Sequence, residues 1–295
     1  MSNQKKIKTM EKIKIETCGL KDVLFPVFMK DNDRKTNTEY SKVVTGIIDG
    51  EEWDLNYCSP RYQLVPNSEI FPKIEEIFRN NGISFVASYS HINRVRFYAN
   101  YRITDTNYQY KVGSSLQDIV SPILFVQHSY NGLTKYQIKF GYYRFICSNG
   151  LSIPIEQMKN FNLAIIGKHT EQILKSLETL NELLHRFVNH APLIISATTA
   201  AYNALDSKVV VNLDDRIKEV FEVTKMNLVE NKKFNALETV KTLISKEMAL
   251  LNKPQPTAWL LYNAINQYIY SNRTVVAPEF RSEKDSAVLE YLIMH

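Results

Sequence analysis

The feature that most constrains the fold is a change of hydrophobic period at Gly150. Before this glycine, apolar and polar residues alternate, as they do from Arg94 to Ile103, and a period of two is typical of half-buried strands. After it, apolar residues recur every three or four positions, as in the stripe from Leu174 to Val188. The pattern predicts an α+β fold: an antiparallel, sheet-rich N-terminal half with one helix, followed by a mostly α-helical C-terminal half.

Local signals place three elements of the first half. A strand is predicted over Lys42 to Ile48, and the turn dipeptide Asp49-Gly50 joins it to a second strand containing Trp53 to Tyr57. A helix is predicted to begin at an N-cap in Asn67-Ser68 and to stop at Asn80-Asn81-Gly82. These elements are expected to precede the more regular strands.

A further hairpin is predicted at Asn131-Gly132, the dipeptide that suits a two-residue type I′ turn with both residues at positive φ. A turn of this length pairs His128 with Lys135. The hairpin and the strand from Arg94 to Ile103 are then two strand systems that each have a basic face.

Three more apolar stripes predict helices in the second half, over Leu213 to Leu228, Leu237 to Leu251 and Trp259 to Ile269. We expect an N-terminal arm at residues 1–40, an antiparallel β-rich region with one helix at 41–150, and a helical region at 151–295. The helices are expected to form a layer that packs through these stripes.

Composition excludes several functional classes. None of the nine glycines forms GxGxxG or GxxxxGK[ST], so a Rossmann fingerprint and a P-loop are absent and no cofactor is expected. The three cysteines show no CxxC spacing, which favours reduced thiols in a cytoplasm. No apolar stretch approaches the ~20 residues of a membrane span. We therefore expect a soluble, cytoplasmic protein that does not enter a membrane.

The charge is concentrated in one segment. The net charge of the chain is +5, and residues 81–150 carry seven Lys or Arg against two acids, whereas residues 151–295 carry sixteen of each. The same segment contains 14 of the 33 aromatic residues. Proteins bind single-stranded nucleic acid with cationic side chains that contact phosphates and aromatic rings that stack with bases. The candidate binding residues are Arg94, Arg96, Tyr98, Arg102, Lys135, Lys139 and Arg144.

Chemical sites are less well supported by the residues. Asp105 and Asp118 are the only acids of the strand-rich segment, so a carboxylate metal site is not expected there. A hydrolase that uses Cys147 with His128 or His169 stays open, because long-range pairs are invisible in one sequence. The competing interpretation is that His128 packs within a hairpin and that Cys147 fills a strand end.

Five short runs resemble one protein family. They are similar to a pattern of the phage/plasmid-like proteins in the family of unknown function numbered 932, over about residues 40–295, and the Cys-Ser-Asn-Gly run is the most specific of them. The resemblance implies a bacterial or phage-infected bacterial context, with no assigned activity and no catalytic residues. The runs are Leu124 to Gly132, Arg144 to Leu151, His169-Thr170, Thr257-Ala258-Trp259 and Asn263-Ala264.

Together these observations favour a non-enzymatic, nucleic-acid-binding protein of a mobile genetic element. Single-stranded DNA is the expected ligand. Replication or recombination, for example strand annealing, is the expected setting. One alternative is an interaction module whose helical half binds a host or phage protein, and the Cys/His hydrolase is the other. Homo-oligomerisation stays open.

Overall fold

A computed structural model describes residues 16–32, 40–113, 115–145, 149–154, 159–167, 171–226, 230–271 and 278–295. It confirms the α+β class, with antiparallel strands and one long helix before Gly150 and helices after it. The strands are β1 Glu16–Cys18, β2 Val27–Asp31, β3 Lys42–Ile48, β4 Glu51–Cys58, β5 Phe85–Ile92, β6 Arg96–Ile103, β7 Tyr110–Lys111, β8 Ile119–Ser129, β9 Tyr136–Arg144, β10 Asn149–Leu151 and β11 Ala164–Gly167. The α-helices are α1 Leu20–Val23, α2 Asn67–Asn80, α3 Glu171–Ser207, α4 Leu213–Val223, α5 Glu230–Leu251, α6 Ala258–Ser271 and α7 Pro278–Met294.

Two antiparallel sheets form the strand-rich half. The large sheet has the order β1-β5-β6-β8-β9-β10, with β7 beside β8 and β11 beside β9. The small sheet has the order β2-β3-β4. Residues 16–32 take part in both sheets, because β1 pairs with β5 and β2 pairs with β3. The described part of the expected N-terminal arm is thus built into the fold.

Helices α2 and α3 cover one face of the large sheet, and we call it the inner face. It carries the apolar residues that alternate along β6 and β9, and these side chains are buried. Helix α2 packs on it through Phe78, whose ring lies 6.0 Å from that of Tyr101. Helix α3 packs beside it through Phe187, whose ring is stacked 4.0 Å from that of Phe140. The helices thus close a core that includes both halves of the chain.

The Asp49-Gly50 prediction is confirmed by the structure. Strand β3 has the predicted bounds, and both turn residues have positive φ, 55° and 86°. Helix α2 is confirmed as well, but Pro66 rather than Asn67-Ser68 occupies its N-cap position. The Asn67 side chain is buried and donates to Val23 O at 2.9 Å.

The predicted type I′ turn at Asn131-Gly132 is wrong. Gly132 has a φ of 68°, but Asn131 does not have a positive φ, and residues 130–135 form a longer loop between β8 and β9. The pairing is shifted by one residue from the expected register, since Phe125 lies opposite Lys139 and Gln127 opposite Gln137. This shift places His128 on the inner face, where its ring is fully buried.

The helical half contains the four predicted helices, although α4 ends at Val223, and Leu228, where the prediction ended, lies outside the described residues. Helix α3 continues through Pro192 to Ser207, past the end of the predicted stripe at Val188. Helix α7 was not predicted, although it contributes buried residues such as Leu289 to the core. Within the described residues, no helix combines the length and the hydropathy that a membrane crossing requires.

Candidate nucleic-acid interface

The face of the large sheet opposite α2 and α3 is the candidate interface, and we call it the outer face. Paired residues of antiparallel strands point to the same side, so the register defines its members. On the central strands they are Arg96, Tyr98, Asn100 and Arg102 of β6, Ile123, Phe125, Gln127 and Ser129 of β8, and Gln137, Lys139, Gly141 and Tyr143 of β9. The neighbouring strands add Val86, Ser88 and Ser90 of β5 and Ala164 and Ile166 of β11.

The outer face contains no acidic residue on any of these strands. Its polar groups are instead arginines, one lysine, amides and hydroxyls. A surface that carries cations and has no carboxylate on its own strands attracts phosphates.

Arg102 is the best-defined cation of this face. Its guanidinium carbon lies 4.7 Å from the ring centroid of Tyr143 and 5.5 Å from that of Phe145. No carboxylate in the described part of the chain pairs with it, and its Nε is buried without a hydrogen-bond partner. Cation–π contact orients the flat guanidinium and leaves its donors available to a phosphate or a base.

Arg96, Tyr98 and Asn100 extend the face along β6. Asn100 is exposed, and Arg96 and Tyr98 are half-buried. Arg96 and Arg102 are six residues apart, which spans about 20 Å along an extended strand. The face is therefore long enough to follow a nucleic-acid backbone rather than a single phosphate.

Comparison with known proteins identifies the family. The family described as Domain of unknown function (DUF932) matches residues 54–291. The chain belongs to the DUF932 family. No curated protein matches the chain, and no solved structure matches it. The DUF932 match includes β6, β8 and β9 together with α2 to α6. The central strands of the outer face and these helices therefore lie within the matched region.

Arg144 is a correction to the sequence-based set. In the DUF932 domain it pairs with Val120 and not with an outer-face residue, and its side chain is fully buried. Its Nε and Nη2 donate to the two oxygens of Asp118 at 2.6 and 2.8 Å, and its Nη1 donates to Glu247 at 2.6 Å. A buried, doubly paired arginine cannot reach a nucleic-acid phosphate.

Lys139 is a second correction. It has outer-face register, but its side chain is buried and donates to Ser282 Oγ of α7. Burial lowers the pKa of its ammonium group, whereas the charge of Asp285 opposes this decrease. Lys139 therefore joins the sheet to α7 and is not part of the solvent-accessible basic surface.

The two remaining basic candidates lie at one end of the large sheet. Arg94 belongs to the β5–β6 turn rather than to β6, has a φ of 53°, and pairs with Asp49 at 2.7 Å. Lys135 is exposed in the β8–β9 loop. These two loops are in contact, because Tyr130 N donates to Val95 O at 2.8 Å. Arg94 and Lys135 therefore lie at the end of the sheet where Arg96 begins β6.

The hydrolase interpretation receives no geometric support. Cys147 and His169 lie outside the described residues. His128 is buried against three aromatic rings, and its Nε2 lies 2.9 Å from Val65 O. Across the described ranges, no cluster of three or more His, Cys, Asp or Glu side chains is placed to hold a metal ion.

Sequence reasoning missed the aromatic partners of the interface. Tyr143 and Phe145 hold Arg102, and Phe145 is 39% exposed. The available signal was the period of β9, because Tyr143 alternates with buried Tyr142 in the same way that Arg102 alternates with Tyr101. Which arginine would lie over which ring depends on the register between strands.

Proposed function

We propose that this DUF932 protein is a non-enzymatic binding protein for single-stranded nucleic acid and that the outer face is its binding surface. The observation that supports this most is a face without acidic residues on its strands, where Arg102 lies over the rings of Tyr143 and Phe145 and pairs with no carboxylate among the described residues. Arg96 and Arg102 contact phosphates, while the Tyr98 ring and the Arg102 guanidinium plane stack with bases.

A single strand fits this surface better than a duplex does. Its bases are unstacked and can lie against rings on a sheet, as they do in sheet-based RNA-binding modules. Reading a duplex in its grooves requires a protruding helix or ribbon. The outer face offers a sheet with rings and cations between strands, which suits splayed bases and has little capacity to read sequence.

The test is a fluorescence-anisotropy titration with a labelled single-stranded oligonucleotide of about 15 nucleotides at two salt concentrations. Replacing Arg96 and Arg102 together with Ala removes two phosphate contacts. The affinity should fall for every sequence, and the slope of log K against log salt should become shallower by about 1.4. Tyr98→Ala should weaken binding by ~1–3 kcal/mol with little change in slope.

Lys218→Ala is the matched control, since Lys218 is an exposed lysine of α4 that pairs with Asp215 at 3.2 Å. It should leave both the affinity and the salt slope unchanged. Binding that is equally strong in wild type and in the Arg96/Arg102 double variant would place the interface elsewhere on the protein. Absence of binding at low salt would reject the nucleic-acid function and favour a protein partner of the helical half.

A further inference from the structure

An open groove lies outside the outer face and has no role in the proposal above. It has a volume of about 630 Å³, which is within the range of small-molecule sites. The groove is formed where the end of β4 and the following turn meet the β8–β9 loop. Its lining residues are Tyr40, Asn56, Tyr57, Cys58, Ser59, Arg61, Tyr62, Asn131 and Gly132.

Among the described residues that line the groove, the one charged side chain is that of Arg61. It is exposed on a turn that is closed by a hydrogen bond of 3.0 Å from Tyr62 N to Ser59 O. No carboxylate of the described chain pairs with it. Asp54, which accepts a hydrogen bond from the Tyr57 hydroxyl, is also paired with Lys30 at 3.6 Å. The groove therefore favours an anion at Arg61.

Two tyrosines supply flat apolar surface beside this cation. The side chains of Tyr40 and Tyr57 are 47% and 37% exposed, so their rings are accessible to a ligand. The ring of Tyr62 is a third one, and it is held in place because its hydroxyl donates to Tyr130 O at 2.9 Å. Exposed rings next to one arginine match a ligand that has both an aromatic ring and an anionic group.

Two amides complete the lining. Asn131 uses its Oδ1 to accept from Leu133 N at 3.2 Å, which leaves its NH₂ group to donate into the groove. The Asn56 amide has no hydrogen-bond partner within the described chain. Carboxamides can match the donor and acceptor pattern at the edge of a base. Burial raises the pKa of the Cys58 thiol, which favours its neutral, protonated form, so we assign this cysteine a lining role and not that of a nucleophile.

We propose that this groove is a nucleotide-binding site, in which Tyr40 and Tyr57 stack with the base and Arg61 holds the phosphate. The ligand class is a nucleoside monophosphate, either free or at the 5′ end of a strand. The two sources share the same chemistry. The site is independent of strand binding by the outer face, because none of its lining residues belongs to that face.

The experiment is isothermal titration calorimetry of the full chain with 2′-deoxyadenosine 5′-monophosphate, deoxyadenosine and inorganic phosphate. The monophosphate should bind saturably, about tenfold or more tightly than either part. Arg61→Gln should weaken it by about tenfold or more, because a charge-assisted hydrogen bond is lost. Tyr57→Ala should weaken binding as well, whereas Tyr57→Phe, which keeps the ring, should retain it. Lys218→Gln is the control and should have no effect.

Competition separates the two sources of ligand. Displacement of the monophosphate by a 5′-phosphorylated oligonucleotide, but not by its 5′-hydroxyl counterpart, assigns the site to a strand end. Displacement by mononucleotides alone assigns it to a free nucleotide. No saturable binding, or equal binding in Arg61→Gln with an unchanged circular-dichroism spectrum, would overturn the proposal. This result would leave oligonucleotide binding by Arg96 and Arg102 untouched, so the two proposals fail separately.

Discussion

Replacing Arg144 with Met tests how the sheet is joined to the helices. Arg144 is fully buried between Asp118 and Glu247, which are 2% and 6% exposed. It connects the start of β8 and the end of β9 to α5, and Trp259 Nε1 of α6 donates to the same Asp118 at 2.8 Å. Met has a similar length and no charge, so the change removes the cation while keeping most of the volume.

The magnitude follows from the two carboxylates that remain. Removing one partner of a buried ion pair costs about 3–5 kcal/mol, because it leaves an uncompensated buried charge. Here one arginine compensates two acids. The free energy of unfolding should therefore decrease by at least about 3 kcal/mol, and Tm should fall by roughly 6–20 °C. Urea and thermal unfolding followed by circular dichroism measure both quantities.

The loss of stability in Arg144→Met should depend on pH in a defined direction. Burial raises the pKa of Glu247 above its ordinary value of 4.5, and Arg144 opposes this rise. A carboxyl with a raised folded-state pKa destabilises the fold as pH rises from the unfolded pKa through the folded one. Without Arg144 the folded pKa rises further. The stability difference from wild type should therefore be smallest below pH 4.5 and grow toward neutral pH.

Two variants complete this test. Arg94→Met makes the same replacement in an exposed pair with Asp49 and should cost about 1 kcal/mol at most. Adding Glu247→Gln to Arg144→Met removes one unpaired charge, which should recover part of the stability and flatten the pH dependence. A loss below about 1 kcal/mol for Arg144→Met, or a loss independent of pH, would refute this account of the buried network.

Three further substitutions test separate features. Gly150→Ala should destabilise by about 1–3 kcal/mol, because an added Cβ would lie 2.3 Å from the Phe125 ring, and Phe125→Leu in the same chain should reverse the loss in urea unfolding. Gly132→Val should cost about 1–2 kcal/mol through its φ of +68° alone, since no atom of the described residues lies within 4 Å of the added Cβ, and Gly132→Asn should cost less. Lys139→Met should leave the salt slope of oligonucleotide binding unchanged, because this lysine is buried against Ser282; a shallower slope would return it to the interface.

Local chemistry explains what the sequence predicted well. Strand β3, the Asp49-Gly50 turn and helix α2 each depend on β-branched runs, a dipeptide that tolerates positive φ, or apolar residues at helical spacing. The alternation along β6 likewise separated buried Phe97 and Tyr101 from outward Arg96 and Arg102. These signals lie within ten or so residues of one another.

The register of the β8–β9 hairpin shows where local chemistry was insufficient. Asn131-Gly132 favoured a two-residue turn, but Ser129 and Thr134 stabilise a longer loop. Ser129 Oγ donates to Thr134 O at 2.9 Å and accepts from Thr134 N at 3.1 Å. A slip of one residue moves every side chain of a strand to the other face. The incorrect register therefore placed His128 and Lys139 on the same face.

The burial of Arg144 and Lys139 depended on contacts far along the chain. Glu247 is 103 residues beyond Arg144, and Ser282 is 143 residues beyond Lys139. A period of two indicates which residues share a face, but not which distant helix covers it. The charge count of residues 81–150 consequently included two cations that the fold uses internally.

Photo-crosslinking tests the central claim most directly. A single-stranded oligonucleotide carrying 5-iododeoxyuridine is irradiated with the full chain, and crosslinked residues are mapped by mass spectrometry. Because the reaction favours stacked aromatic rings, the outer face predicts crosslinks at Tyr98, Tyr143 and Phe145, and their loss in the Arg96/Arg102 double variant. Crosslinks confined to residues 171–295, or unchanged in the double variant, would contradict binding at the outer face.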